Sequence, residues 1–108
     1  MNKGDICVLE LPRISGKEQF GARPAIILSD TKTGLIIIIP LTSNLETLKF
    51  PFTIRIHSSS VNGLEKDSIA LAFQMRAVDK RRLKRKIGIL EREYLTEIDG
   101  VIRSLFKL

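Results

Sequence analysis

The stretch from residue 35 to residue 44 reads LIIIIPLTSN, and its first half has the pattern of a buried strand. Residues 35–39 form a continuous apolar run rich in β-branched side chains, too short for a buried helix and typical of a strand covered on both faces. Pro40 interrupts the run, so we expect the polar triplet Thr42-Ser43-Asn44 to lie at the rim. Residues 35–39 are therefore predicted to form the centre of a sheet.

The segments around this run also favour strands, separated by turns and one long loop. Apolar alternation or short apolar runs predict strands over residues 4–10, 25–28, 50–56 and 68–73, with a possible continuation over residues 76–78. Residues 29–34 and 58–63 have turn composition. The segment PRISGKEQFGARP, residues 12–24, combines Pro, Gly and charge without an apolar period, and it is predicted to be an exposed loop.

Only the last part of the chain is predicted to be helical. Apolar residues recur there at spacings of three and four: Tyr94, Leu95, Ile98, Val101, Ile102, Leu105 and Phe106. The expected architecture is a small, strongly curved antiparallel sheet or barrel of five or six strands with a C-terminal helix. At 108 residues and 12.2 kDa, the whole chain is expected to form one domain.

Composition excludes several classes of protein. Apolar residues make up 44% and charged residues 28%, as in ordinary globular proteins, and no stretch is apolar for long enough to predict a membrane span. Cys7 is the single cysteine, so no internal disulfide is expected. The N-terminal sequence lacks the order of a signal peptide. We therefore expect a cytoplasmic protein.

The basic charge of the chain is concentrated near its C-terminal end. The net charge is +6, of which residues 80–108 carry +5, and most of that lies in Lys80, Arg81, Arg82, Lys84, Arg85 and Lys86. This basic run is either a solvated turn or a surface that binds phosphate. A pI near 9.8 favours a polyanionic partner, nucleic acid first.

The usual catalytic clusters are missing from the sequence. With one histidine, His57, and one cysteine there is no metal-ligand spacing, no Cys-His pair and no P-loop. We expect His57 to lie at the surface and Cys7 to be a core residue. No metal and no cofactor is predicted.

Four ordered blocks nevertheless resemble one family, the MazF/PemK (Kid) toxin endoribonucleases. The blocks cover nearly the whole chain: residues 3–6 (KGDI) with 16–25 (GKEQFGARPA), residues 39–44 (IPLTSN), residues 64–68 (LEKDS), and residues 74–83 (QMRAVDKRRL). The resemblance implies an SH3-like barrel, a fold shared with the gyrase-poisoning toxin CcdB. It also implies sequence-specific, metal-independent cleavage of single-stranded RNA, such as mRNA, by a homodimer that an acidic antitoxin neutralises.

In the family, an arginine and a threonine at the positions of Arg23 and Thr42 are tied to cleavage. The reaction lets a 2′-hydroxyl attack its own phosphate, so the protein must stabilise a dianionic phosphorane. The planar fork of Arg23 can contact two phosphate oxygens, and Pro24 restricts its backbone to the extended region. Thr42 can donate a hydroxyl hydrogen bond to the same phosphate.

Other residues in or near the blocks are candidates for RNA binding or support of the site: Glu18, Gln19, Ser43, Asn44, Ser68, Gln74, Lys84, Arg85 and Lys86. Purely structural interpretations stay open for several of the candidates. Arg23 could be a surface residue paired with Glu18, Thr42-Ser43-Asn44 could be a turn cap, and Gln74 could make only structural hydrogen bonds.

The chain also departs from part of the family. The Kid branch has an Arg and an Asp, proposed as an acid-base pair, where this chain has Leu71 and Phe73. Arg23 and Thr42 must then carry more of the reaction, and the general base is left open between Glu18, a water and a perturbed arginine. Two other functions remain alternatives: a CcdB-like inhibitor that binds a topoisomerase, and a catalytically silent module that binds nucleic acid or a partner.

Overall fold

A computed structural model describes residues 1–13 and 16–108, and within these ranges the chain is mainly β with one helix at its C-terminal end. The strands are β1 (Asp5–Leu11), β2 (Gly21–Asp30), β3 (Leu35–Thr42), β4 (Thr53–Ile56), β5 (Ser68–Leu71), β6 (Arg76–Asp79) and β7 (Leu83–Ile89). The helix α1 spans Arg92–Phe106, and 3-10 turns occupy Leu45–Lys49, Ala72–Gln74 and Lys80–Arg82. The predicted fold class is confirmed.

Strand β3 holds the sheet together. All strand pairs are antiparallel, in the order β4-β5-β3-β2-β1-β7, and β6 also pairs with β3. One edge of β3 pairs with β2, whereas the other edge pairs with β6 at residues 35–38 and with β5 at residues 41–42. Ile36, Ile38 and Ile39 are fully buried. The prediction of a central strand covered on both faces is confirmed.

Pro40 interrupts the apolar run but not the strand, because β3 continues to Thr42, and the polar triplet lies at its end as expected. Pro40 pairs with Ala25 of β2, and on its other side it lies between the residues paired with β6 and those paired with β5. A proline removes one backbone donor. At this position the edge changes partners, so the missing donor interrupts neither ladder on that side.

The loop predicted over residues 12–24 is shorter in the structure. Strand β2 begins at Gly21, so Arg23 and Pro24 lie in a strand, opposite Leu9 and Val8 of β1. The pairing with β1 overrides the polar, glycine-containing composition on which the loop prediction was based. Residues 14 and 15 of the predicted loop lie outside the described ranges.

Two other predicted strands are truncated. The strand expected over residues 50–56 is confirmed only at Thr53–Ile56, since Phe52 has a φ of 59° in the left-handed region and Phe50 is exposed. The strand expected over residues 68–73 ends at Leu71 and is followed by the 3-10 turn Ala72–Gln74. Residues 76–78 fall in the separate strand β6.

Part of the basic run lies in strand β7, and the sequence did not predict a strand there. Seven strands are found in the described ranges, where five or six were expected. The β1–β7 register shifts between Ile6 and Cys7 and again between Val8 and Leu9. Such bulges break the alternation of side chains along a strand. Three successive exposed basic residues, Lys84 to Lys86, therefore hid this strand in the sequence.

The connection between β4 and β5 crosses β7 and brings the two ends of the sheet together. The Ile89 N–H donates to the carbonyl of Val61. Asn62 is fully buried; its Nδ2 donates to the His57 carbonyl at 2.9 Å, and its Oδ1 accepts from the Leu64 N–H at 3.0 Å. A Cβ on Gly63 would collide with the backbone carbonyl of Ile87. This crossing gives the curved sheet its barrel-like form.

The core is divided between the two faces of the sheet. Ile6, Ile39 and Leu41 pack with Ile98 of α1 on one face, whereas Cys7 lies in a second buried cluster on the other. Cys7 is thus a core residue, as expected, and burial raises the pKa of its thiol. Among the described residues, no helix is long and apolar enough to cross a bilayer.

The crossing over β7 predicts very different outcomes for two Gly-to-Ala substitutions. Gly63 has a φ of 71° and no room for a Cβ, so Gly63→Ala should destabilise the fold by more than about 2 kcal/mol. Gly100 lies within α1 with open space around it, so Gly100→Ala should stabilise by up to about 1 kcal/mol. Urea unfolding of the two variants and the parent measures both effects; equal stabilities would contradict the crossing.

Candidate functional site

A cleft of about 470 Å³ is lined by residues of β1, β2, β3, β5 and β7 and of the connections between strands. Its floor contains Val8, Pro24 and Leu41 of three neighbouring strands, and Gly63 and Leu64 form part of one wall. Polar and charged side chains complete the lining: Arg23, Ser43, Glu65, Lys66, Ser68, Lys84 and Arg85. Five of the predicted site residues, Arg23, Ser43, Ser68, Lys84 and Arg85, are therefore brought together here.

The register of the strands explains how residues distant in sequence reach one cleft. Val8 of β1 pairs with Pro24 on one side and with Arg85 on the other, so these residues form a row across the sheet. The bulge after Val8 interrupts the alternation in β7, and both Lys84 and Arg85 line the cleft. Without a bulge, adjacent residues of a strand face opposite sides of a sheet.

Arg23 is held by the backbone and not by an acidic side chain. Its Nε donates to the carbonyl of Phe20 at 3.1 Å. It has no ion pair with any residue of the described ranges, and in particular the alternative of a salt bridge to Glu18 is not found there. The backbone contact uses one of the five N–H groups of the guanidinium. The other four N–H groups of the Arg23 guanidinium can donate to a ligand.

The charges around the cleft are mainly positive. Four basic residues, Arg23, Lys66, Lys84 and Arg85, line it together with one acidic residue, Glu65. Within the described ranges, the one carboxylate that comes within 4.0 Å of the Lys84 ammonium is that of Glu10, at that limiting distance and at exposed positions, so their attraction is weak. The cleft therefore favours a ligand with several negative oxygens, such as a phosphodiester.

The triplet that follows β3 has a local structural role as well as a place beside the cleft. Thr42 is 6% exposed, and its Oγ1 accepts a hydrogen bond from the Asn44 N–H at 3.2 Å. Asn44 in turn caps the 3-10 turn Leu45–Lys49, because its Oδ1 accepts from the Glu46 N–H. The turn-cap interpretation is thus confirmed for Asn44. Ser43 lines the cleft, whereas Thr42 lies next to it in the chain and keeps its hydroxyl proton available for donation.

Glu18, Gln19 and Gln74 meet at a second place, the loop that precedes β2, and do not line the cleft. The Gln19 N–H donates to Oε1 of Gln74 at 2.9 Å, and Nε2 of Gln74 donates to the Lys17 carbonyl at 3.4 Å. Gln74 therefore makes structural hydrogen bonds, which was one of its two interpretations.

Arg76 joins this second cluster and was missed by the sequence analysis. Its Nη2 donates to the Gln19 carbonyl at 2.7 Å. Burial lowers the pKa of its guanidinium, the carboxylate of Glu18 raises it, and the charge of Arg82 lowers it. The available signal was its place in the fourth block, two residues after Gln74.

Several other basic residues are paired with carboxylates. Lys86 lies 3.2 Å from the buried carboxylate of Asp5, which also accepts from the Asn2 N–H. Burial raises the pKa of Asp5, but these hydrogen bonds and the charge of Lys86 outweigh it, so the pKa is lower than usual. Lys80 pairs with Asp30 and Arg81 with Asp79. The structure thus gives Lys86 an ion-pair partner and does not place it in the cleft.

His57 lies at the surface, as expected, with its side chain 66% exposed. Its Nδ1 is 3.0 Å from a carboxylate oxygen of Asp67. The pKa of Asp67 is held well below its usual value by the N–H of Ser58, by His57 and by Arg55. Neither His57 nor Asp67 is among the residues that line the cleft.

Comparison with known proteins shows what the chain is similar to. The model of the family described as PemK-like, MazF-like toxin of type II toxin-antitoxin system matches residues 2–106. Proteins named Endoribonuclease MazF are 33% identical in Staphylococcus saprophyticus and 31% identical in Staphylococcus epidermidis; in both cases the match covers 94% of this chain and 88% of the relative.

The solved structures agree with this match. The crystal structure of MazF (Form-I) from Deinococcus radiodurans has a TM-score of 0.84 and 26% identity, covering all of this chain and 97% of the other. The crystal structure of MazE-MazF (Form-II) from the same organism has a TM-score of 0.77 and 27% identity, covering all of this chain and 96% of the other. The resemblance found in the sequence blocks is confirmed: this chain belongs to the PemK-like, MazF-like toxins of type II toxin-antitoxin systems.

Proposed function

We propose that this chain is a toxin endoribonuclease that cuts single-stranded RNA without a metal ion, in the cleft lined by Arg23. The observation that carries the proposal is an arginine without an ion pair in the described ranges, in a cleft lined by three further basic residues. The staphylococcal relatives named Endoribonuclease MazF support the same activity.

The reaction needs charge stabilisation more than a dedicated cofactor. The 2′-oxygen forms a bond to phosphorus and loses its proton, while the bond from phosphorus to the 5′-oxygen breaks and that oxygen gains a proton. The products are a 2′,3′-cyclic phosphate and a 5′-hydroxyl. Arg23 stabilises the extra negative charge on the phosphoryl oxygens in the transition state, where a fixed cation contributes most.

Thr42 supplies a second donor in this proposal. Its hydroxyl oxygen is fixed by the Asn44 N–H, so the direction of its proton is restricted. A donor that is already oriented needs no reorganisation when charge develops on the phosphate. Glu18, one of the three candidates for the general base, lies in the loop cluster and not in the cleft, so the geometry does not favour it over a water.

The basic residues predicted to bind RNA divide into those that line the cleft and one that has another partner. Lys84 and Arg85 line the cleft, and their contacts with phosphates would position the strand without reading its bases. Lys86, predicted together with them, is assigned to the ion pair with Asp5. Ser43 and Ser68 both line the cleft. Ser43 is exposed, whereas the buried Ser68 donates its hydroxyl proton to the Lys66 carbonyl at 3.0 Å, so of the two only Ser43 has a hydroxyl proton available to RNA.

An acidic antitoxin is the second partner that we propose. Two proteins with similar folds have been solved as complexes, MazE-MazF from Deinococcus radiodurans and a mycobacterial endoribonuclease with its cognate antitoxin. A cleft rich in cations attracts carboxylates as well as phosphates, so an acidic segment laid along it would exclude RNA.

A homodimer is supported by apolar surface at the end of α1. Phe106 is 57% exposed and Leu108 is 83% exposed, while Leu105 beside them is half-buried. Apolar side chains grouped at one place on a surface mark sites of association.

Replacement of Arg23 should lower the chemical step far more than RNA affinity. Arg23→Ala should nearly abolish cleavage, and Arg23→Lys should restore little because a point charge replaces a bidentate plane. Thr42→Val removes one donor and should lower the rate on the order of 100-fold. Single-turnover cleavage of a saturating short RNA, with identification of the product ends, measures these effects.

His57→Ala is the matched control, since His57 does not line the cleft, and it should cleave at the parental rate. Cleavage should also persist in the presence of a chelator. Full activity in Arg23→Ala, or loss of activity on chelation, would refute the mechanism. A protein that bound a topoisomerase and left RNA intact would be the CcdB-like alternative.

Loss of Arg85 should weaken RNA binding more than loss of Arg81, although the two residues belong to one basic run. Arg85 lines the cleft, whereas Arg81 donates two hydrogen bonds to the carboxylate of Asp79 from Nε and Nη2. Arg85→Gln should reduce the slope of log K against log salt by about one, and Arg81→Gln should reduce it less. Both variants should cut the same RNA motif, since phosphate contacts carry no base information; a changed motif would contradict this division.

The chain should be a dimer at micromolar concentration. Light scattering should report twice the 12.2 kDa mass of the chain, and Phe106→Ser should shift the population toward the monomer if α1 contributes to the interface. A species of 12.2 kDa alone would contradict the proposed dimer.

A further inference from the structure

Arg76 contacts the loop that leads to Arg23. Its place is fixed by the sheet, because Arg76 lies in β6 opposite Ile38 of β3. From there its Nη2 donates to the Gln19 carbonyl at 2.7 Å, while Oε1 of Gln74 accepts from the N–H of the same residue. The N–H and the carbonyl of Gln19 are thus both hydrogen-bonded, by the side chains of Gln74 and Arg76, which lie two residues apart. A neighbouring strand bonds the backbone of a strand residue in much the same way.

The next residue of the loop connects this anchor to the cleft. Phe20 follows Gln19 directly, and its carbonyl accepts the hydrogen bond from Nε of Arg23. Displacement of Gln19 would therefore displace the one backbone acceptor that fixes Arg23 among the described residues. Arg76 and Arg23 are linked through two consecutive carbonyls.

The surroundings of Arg76 indicate that its side chain does more than fill space in the fold. Its Nε and Nη1 are buried without a hydrogen-bond partner in the described ranges, and so is Oε2 of Glu18. A partly buried cation with unused donors costs more than an apolar side chain of similar size. An arginine at this position is thus poorly suited to stability alone, whereas it is well suited to hold a loop that carries the carboxylate of Glu18.

We propose that Arg76 is a positioning residue for RNA cleavage: it fixes the loop at Gln19 and thereby orients the guanidinium of Arg23 toward the scissile phosphate. The inference rests on the proposed function. Arg76 itself does not line the cleft, so it acts through Arg23 and not by contact with RNA. A small displacement of a reacting group costs a large factor in rate, so the effect should appear in the chemical step.

The test compares Arg76→Met, Arg76→Lys and the control Arg92→Met. Arg76→Met keeps an unbranched side chain but removes the charge and the donors, and single-turnover cleavage should fall about 10-fold to 100-fold while the Kd for a short RNA changes little. Arg76→Lys retains one donor for the Gln19 carbonyl and should recover part of the rate. Arg92→Met removes the same charge from an exposed position on α1 and should keep the parental rate.

Two further measurements separate positioning from simple destabilisation. Hydrogen exchange of the peptide covering residues 12–20 should accelerate in Arg76→Met but not in Arg92→Met. Thermal unfolding of both variants checks that each is folded under the conditions of the exchange measurement. Addition of Arg76→Met to Arg23→Lys should cost much less than it costs in the parent, since residues that act through one another are not additive.

The outcomes test the positioning role of Arg76 and the proposed function separately. Parental cleavage and parental exchange in Arg76→Met, or fully additive losses with Arg23→Lys, would overturn the positioning role. If the parent chain does not cleave RNA at all, the proposed function fails and the catalytic role of Arg76 with it. The exchange measurement then still reports whether Arg76 anchors the loop.

Discussion

The hydrogen bonding of β3 to three other strands is the constraint on which the rest of the molecule depends. The side chains of β3 also enter both core clusters, Ile39 on one face of the sheet and Ile36 and Ile38 on the other, which explains the unbroken apolar run of residues 35–39. The same strand ends at Thr42, beside the cleft. Thr42, one of the two side chains that the proposed mechanism uses, is therefore carried by the strand that pairs with the most neighbours, and local fluctuations there are expected to be small.

The distribution of ion pairs matters more than the number of basic residues. Along the basic run, Lys80, Arg81 and Lys86 lie against carboxylates, whereas Arg85 has no ion pair within the described ranges and lines the cleft. Exposed ion pairs add little to stability, but they reduce the field that a ligand meets. Three of the six basic residues of the run are therefore paired with carboxylates, whereas the charge of Arg85 adds to the positive potential of the cleft.

The sequence predicted the parts of this fold in which side-chain pattern and backbone pairing agree. The apolar run of β3 and the three- and four-residue spacing in α1 were recognisable for that reason. Strand β7 was not, because two bulges and the run Lys84 to Lys86 removed its alternation. In the same way, Phe52 was placed in a strand by its alternation, but a left-handed backbone ends that pattern before Thr53.

The candidate site likewise has residues that the sequence predicted and contacts that it did not. Arg23, Ser43 and Ser68 were named from their blocks and Arg85 from the basic run, and the register of the strands helps to bring them together. The link from Arg76 through Gln19 to Arg23 was not predicted, because it depends on backbone carbonyls that carry no residue identity. The pairing of Lys86 with Asp5 was missed because it joins residues 81 positions apart.

The pairing of β1 with β7 has a consequence for how the protein is made. The cleft is lined by residues from Val8 to Ile87, and the strand that completes it is the last one in the chain. While the ribosome is still translating the earlier codons, the nascent polypeptide has no β7 with which β1 can pair. Contacts so distant in sequence also form slowly. A prematurely terminated product ending before residue 83 would thus lack β7 with Lys84 and Arg85, and the cleft could not form in such a fragment.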